Sequence, residues 1–137
     1  MKTYEKKSIT LNYALKLAQK AISLSEGMGY YICVTIVDES GIVKTSLRND
    51  KANYITPDSS RKKAYTAAAI GFPTKNMAKM IEKEPHMQQF SNITNETIVY
   101  GGGVPIKSGD IVIGAIGIAG APGGNLDHEI AIKTISE

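Results

Sequence analysis

Two histidines, one cysteine and a run of glycines are the places in this chain where chemistry can be sought. A zinc site needs several Cys, His or acidic ligands at close spacing. Cys33 stands alone, and His86 and His128 lie far apart in the sequence. Asp127, His128 and Glu129 are consecutive in a predicted helix, so their side chains point in different directions. They read as a first helical turn, where acids are favoured, and no metal site is expected. Cys33 falls mid-strand among Ile32, Val34 and Ile36, which reads as core and not as an open nucleophile. No G-x-S-x-G elbow is present. GGGVPIKSG lacks the spacing of a Walker loop, and a strand, not a helix, follows the glycines.

Anion binding is better supported. Nine of the 13 glycines fall between Tyr100 and Gly124. Glycine inside a strand costs conformational entropy and packs nothing, so something is expected close to this backbone: a ligand, another subunit, or another element of the fold. Gly101, Gly102 and Gly103 can bend the chain sharply and present peptide N–H groups to an anion. Arg61, Lys62 and Lys63 begin a helix where the macrodipole prefers acids. Lys63 borders an alanine-rich face through Thr66 and Ala67, which puts its ammonium beside the sheet and near the triple glycine. Arg48, at the end of a hairpin, is a second anion-binding candidate.

The elements that must position these groups follow from periodicity. Residues 10–27 repeat apolar side chains at helical spacing (Leu11, Ala14, Leu15, Ala18, Ala21, Ile22, Ser25), with Thr10 as cap and Gly27 and Gly29 as stop. Tyr30 to Val37 and Ile42 to Arg48 read as an antiparallel hairpin around Asp38–Gly41. Residues 49–57 read as a loop. Asp58 opens a second helix that Gly71-Phe72-Pro73 ends, and Thr74 opens a third, stopped by Pro85. Residues 86–95 carry no clear period. Thr97 to Tyr100, Val104 to Ile106 and Ile111 to Ala119 read as strands. The last is apolar on both faces and so central, with Gly114 and Gly117 on opposite faces. One admits the alanine-rich helix, the other a ligand or a subunit. A terminal helix spans about 126–136. The class is α+β: one domain over residues 1–137, an antiparallel sheet of about five strands, helices on its faces.

Bulk properties narrow the function. The 137 residues carry a net charge of +3 with scattered positive side chains, and no aromatic nucleic-acid signature appears. The N-terminus lacks an apolar run, so a soluble cytoplasmic protein without a membrane role is expected. Two glycosylation sequons at Asn92 and Asn95 are read as chance in that setting.

Several short motifs occur in one order: Asp38-x-x-Gly41; Arg48 with Asp50 and Ala52; Lys63-Ala64-x-Thr66-Ala67-Ala68; Pro73-Thr74; Gly101-Gly102-Gly103-Val104-Pro105-Ile106; Ile113-Gly114-Ala115-Ile116-Gly117; and Asp127-x-x-Ile130-Ala131. The set resembles the haem-binding HbpS/GlcG-like family, which includes the C-terminal domain of PduO-type cobalamin adenosyltransferases. The likeness covers about residues 8–136. It implies a profilin-like sandwich assembled into homo-oligomers, dimers or larger rings. It also implies a binder of haem or another small anionic, carboxylate-bearing molecule. Lys63, Arg48, Thr66, Gly101, Gly102, Gly103 and Pro105 are its expected ligand-binding residues. The alternative is a small enzyme or accessory subunit of a glycolate- or propanediol-type pathway. Two departures stand out. The family's Arg-x-Asp-Gly-Ala reads Arg48-Asn49-Asp50-Lys51-Ala52 here. The first helix also lacks the histidine that some haem-binding relatives use, which leaves His86, ahead of Met87, Tyr65 and Tyr100, as candidate haem ligand.

Overall fold

The computed structural model describes residues 1–136. The chain runs α1 (Leu11–Gly27), β1 (Cys33–Asp38), β2 (Val43–Arg48), α2 (Thr56–Ile70), α3 (Thr74–Lys83), a 3-10 segment (Pro85–Asn92), β3 (Gly103–Ser108), β4 (Ile111–Ala119) and α4 (Gly124–Ile135). All pairings are antiparallel, in the order β2-β1-β4-β3. The sheet therefore has four strands, not the five expected.

The missing strand is Thr97–Tyr100. Its apolar run is short, and its backbone is claimed by hydroxyls before any ladder can form. Ile98 N donates to Thr66 Oγ1 at 3.0 Å, and the Tyr100 carbonyl accepts from Thr74 Oγ1 at 2.6 Å. Beside it β3 stays an edge strand, the position in which Pro105, with no N–H to give, is tolerated.

Alternation along the strands separates two unlike faces. Val34, Ile36, Val104, Ile106, Ile116 and Ile118 form the apolar core with α1 and α4. On α1 the buried stripe is Ala14, Leu17, Ala18, Ala21 and Ser25. The helix is thus rotated from the expected face, and Leu11 is 55% exposed. Small residues along the stripe let the backbone approach the sheet, while Thr10 Oγ1 caps the start by accepting from Tyr13 N.

The opposite face is covered by α2, and it is small and partly polar. Val37, Ala64, Ala67 and Ala115 form its apolar cluster. Thr35 Oγ1 lies 2.9 Å from Ser46 Oγ and 2.7 Å from Ser60 Oγ, a hydroxyl chain with Cys33 Sγ 3.7 Å from Ser46. Cys33 is buried there, as its strand setting predicts. Gly103 and Gly117 are cross-strand partners beneath α2. A Cβ at Gly117 would collide with the Ser60 carbonyl and lie 2.6 Å from Ala64 N; one at Gly103 would collide with the Lys63 carbonyl. These two glycines are bare because a helix backbone rests on them. Gly114, on the other face, admits Ile9 of the segment preceding α1.

Candidate functional site

Four of the motif blocks, those of Lys63, Thr74, Gly101–Gly103 and Asp127, meet at one corner, where Gly101–Gly103 leads into β3 between α2, α3 and α4. Lys63, in the middle of α2, reaches over the sheet edge. Its Nζ donates to Asp127 Oδ2 and to the Ile118 carbonyl, both at 2.9 Å. The two side chains are 4% and 5% exposed. Asp127 Oδ1 accepts from Ala121 N at 3.0 Å. Burial pushes the Asp127 carboxyl above its usual range, against the opposing pull of the Lys63 ammonium. The chain must pass close to this pair. A Cβ at Gly102 would lie 2.9 Å from Lys63 Cδ and 3.0 Å from Asp127 Cβ, and φ there is +130°, a region open to glycine alone.

Thr74 clamps the same turn at both ends. Its hydroxyl donates to the Tyr100 carbonyl and accepts from Gly103 N at 3.0 Å. Thr66, one turn beyond Lys63, donates to the Lys62 carbonyl and holds Ile98. Pro105 is buried opposite Ala115. Lys63, Thr66, Gly101, Gly102, Gly103 and Pro105 thus share the sheet edge at β3.

Arg48 does not join them. It ends β2, at the far edge of the sheet, and points its Nη1 at the Ala52 carbonyl, 3.3 Å away. There it lines a separate cleft of about 370 Å³ with Gln19, Glu26 and Asp50.

A cleft runs beside Gly101. It has a volume of about 360 Å³ and is lined by Lys75, Lys79, Glu82, Gly101, Gly124 and Asn125. Gly101 is buried at its base, where two backbones touch: a Cβ on Gly101 would lie 2.6 Å from the Gly124 carbonyl, and one on Gly124 2.9 Å from Gly101 N. On α4, His128 has its Nδ1 sealed from solvent with no hydrogen-bond partner among the described residues. Burial, then Lys75 and Lys79, hold its imidazole below the usual histidine range, with Glu129 opposing.

Sequence reasoning missed Asp127, Thr74, Lys75, Lys79 and Asn125 as members of this corner. The one available signal was shared motif membership. Lys63 and Asp127 both lay in motif blocks, and a lysine that close to an apolar sheet needs a carboxylate.

Haem, the cofactor implied by the resemblance, meets this structure at one end only. A carboxylate has two ammonium groups, Lys75 and Lys79, to meet in the cleft beside Gly101. No enclosed iron site is built among the described residues. His86 is 79% exposed and 3.6 Å from Glu84, beside a hollow of about 140 Å³ between Met80 and Met87, which is below the usual size of a ligand pocket. No group of three or more His, Cys, Asp or Glu that could hold a metal ion occurs among the described residues. No described helix is long and apolar enough to cross a membrane.

Comparison with known proteins agrees with the motif reading. Residues 9–136 match the family described as haem degrading protein HbpS-like. A double mutant of HbpS from Streptomyces reticuli is 32% identical, covering 97% of this chain and 88% of that one, with a TM-score of 0.89. The PduOC–haem complex is 24% identical, with 93% of each chain covered and a TM-score of 0.84; at that identity it supports the fold alone. An uncharacterised 15.0 kDa protein from the dhaT–dhaS intergenic region of Citrobacter freundii is 29% identical over 115 residues, 82% of this chain and 80% of that protein. The chain belongs to the HbpS-like family.

Proposed function

We propose that this HbpS-like chain is a small-ligand-binding protein that takes haem or another carboxylate-bearing molecule at the corner built from Gly101, Gly102 and Gly103. The observation that carries the reading is a cleft beside the triple glycine, lined by Lys75, Lys79, Gly124 and Asn125, in a chain that shares its fold with HbpS and is 32% identical to it. Two ammonium groups on one wall suit an oxyanion, because charge-assisted contacts are the strong ones. Lys63, Thr66 and Pro105 act from behind. The ammonium of Lys63 is committed to Asp127 and Ile118, so it fixes the corner without touching the ligand.

If the ligand is haem, it supplies redox-active iron, and His86 is the imidazole open to it at the surface. Arg48, at the opposite sheet edge, reaches the same ligand only across an interface between copies of the chain. The proposed working form is accordingly a homo-oligomer, a dimer or a larger ring. Native mass spectrometry of the purified protein reads bound molecule and subunit count together, and haemin titration reads the Soret band. A saturable Soret shift that the His86→Ala variant alters is the expected result. A monomer that carries no small molecule and gives only the spectrum of free haemin would overturn the reading.

A further inference from the structure

We infer that the cleft at Gly101 is a carboxylate-anchoring subsite, in which Lys75 and Lys79 close on an oxyanion seated over the joined backbones of Gly101 and Gly124. The inference rests on the small-ligand reading for what the carboxylate belongs to; where the carboxylate sits is tested separately below.

Three features converge there. The first is charge without a partner. Lys75 and Lys79 are four residues apart on α3 and line the same cleft. Like charges at that spacing repel, yet neither ammonium has an ion-pair or hydrogen-bond partner among the described residues. Glu82, on the same helix, also lines the cleft. Two ammonium groups against one carboxylate leave the wall net positive. The second is the floor. Gly101 and Gly124 exclude each other's side chains, and a Cβ on Gly101 would also lie 3.5 Å from Lys75 Cβ. The backbones of Gly101 and Gly124 therefore meet directly at the base of the cleft, with Asn125 lining it alongside. The third is His128, where a further basic group has been placed within the field of the same two lysines, its Nδ1 sealed and unpartnered. A bound anion satisfies the lysines at once, and charge-assisted contacts are the strong ones.

His128 makes the site readable. The groups acting on it are Lys75 and Lys79 from α3 and Glu129 from its own helix. Both lysines oppose its protonation, so an anion that screens them raises its titration midpoint. The chain has only two histidines, and exposed His86 serves as internal reference. The experiment is a succinate titration of the full chain at constant ionic strength, following both imidazoles by NMR. The expected result is a saturable movement of the His128 resonances with a rise in its midpoint, while His86 stays still. Lys75→Gln with Lys79→Gln should weaken succinate by about tenfold or more, with an unchanged melting temperature, and Glu82→Gln should tighten it. No saturable movement at His128, or the same succinate affinity in the double variant, would overturn the subsite. Haemin separates the two readings. Succinate binding with no haemin binding leaves the subsite standing and removes haem. Haemin binding with His128 indifferent to succinate does the reverse.

Discussion

Two glycine pairs lie a few residues apart in this fold and have opposite surroundings. Gly103 and Gly117 face each other across β3 and β4 with the backbone of α2 pressed onto them. Gly101 and Gly124 press onto each other at the base of a cleft that both line. In sequence both pairs read as lost side chains in a glycine-rich stretch. The lesson is that glycine reports close approach without saying what approaches: one pair seats a helix on the sheet, the other joins the turn before β3 to the start of α4 beside a cleft.

The sharpest way to break that contrast is Gly117→Val. Its branched side chain has to occupy the position of the Ser60 carbonyl, and α2 cannot retreat without opening its packed interface with the sheet. A loss beyond about 4 kcal/mol is expected, enough to remove the cooperative unfolding transition. A variant that melted within a few degrees of the parent would refute the packing role.

Next in size is the pair that the glycines enclose. Lys63→Met strands the Asp127 carboxylate in a nearly solvent-free position, and breaking a buried pair from one side costs about 3 kcal/mol or more. Adding Asp127→Asn should restore part of the loss, measured as a coupling in denaturant titrations of the four proteins. Additive effects would mean that the contact contributes nothing of its own.

The smallest effect lies far from the corner, at Glu39, and calibrates the rest. Hydrogen bonds from Ser8 and Ser40, with Lys6 nearby, pull its carboxyl from 4.5 down to about 2. A depressed carboxylate favours the folded state above its unfolded value and loses that advantage as pH falls from about 4.5 towards 2. Glu39→Gln should therefore flatten the stability profile in that window only. An unchanged acid limb would show that the contacts of this carboxylate do not persist in solution.

How far the sequence discloses this molecule depends on how local the cause is. β4 is seen at its full span, Ile111–Ala119, because an apolar run buried on both faces needs no partner to be recognised. Thr10 is seen as the α1 cap for the same reason. Thr97–Tyr100 is misread because the hydroxyls that capture its backbone come from Thr66 and Thr74, in other elements. Leu11 and Leu15 are misread because leucine outweighs alanine in any periodicity, while close approach favours alanine. At the corner, Lys63 and the three glycines are legible as a group. What stays hidden is that the ammonium faces inward, since Asp127 stands 64 residues away. Arg48 shares its motif order but not its place, because strand order, not chain order, sets distance.

The three-way contact of Lys63 ties a helix on one side of the sheet, a central strand and the start of a helix on the other side to a single charged atom. No one of these pieces can peel away without leaving ionic groups stranded. Their slowest amides should therefore exchange with deuterium at one common rate, as a single opening unit, ahead of which the 3-10 segment and the chain ends exchange freely.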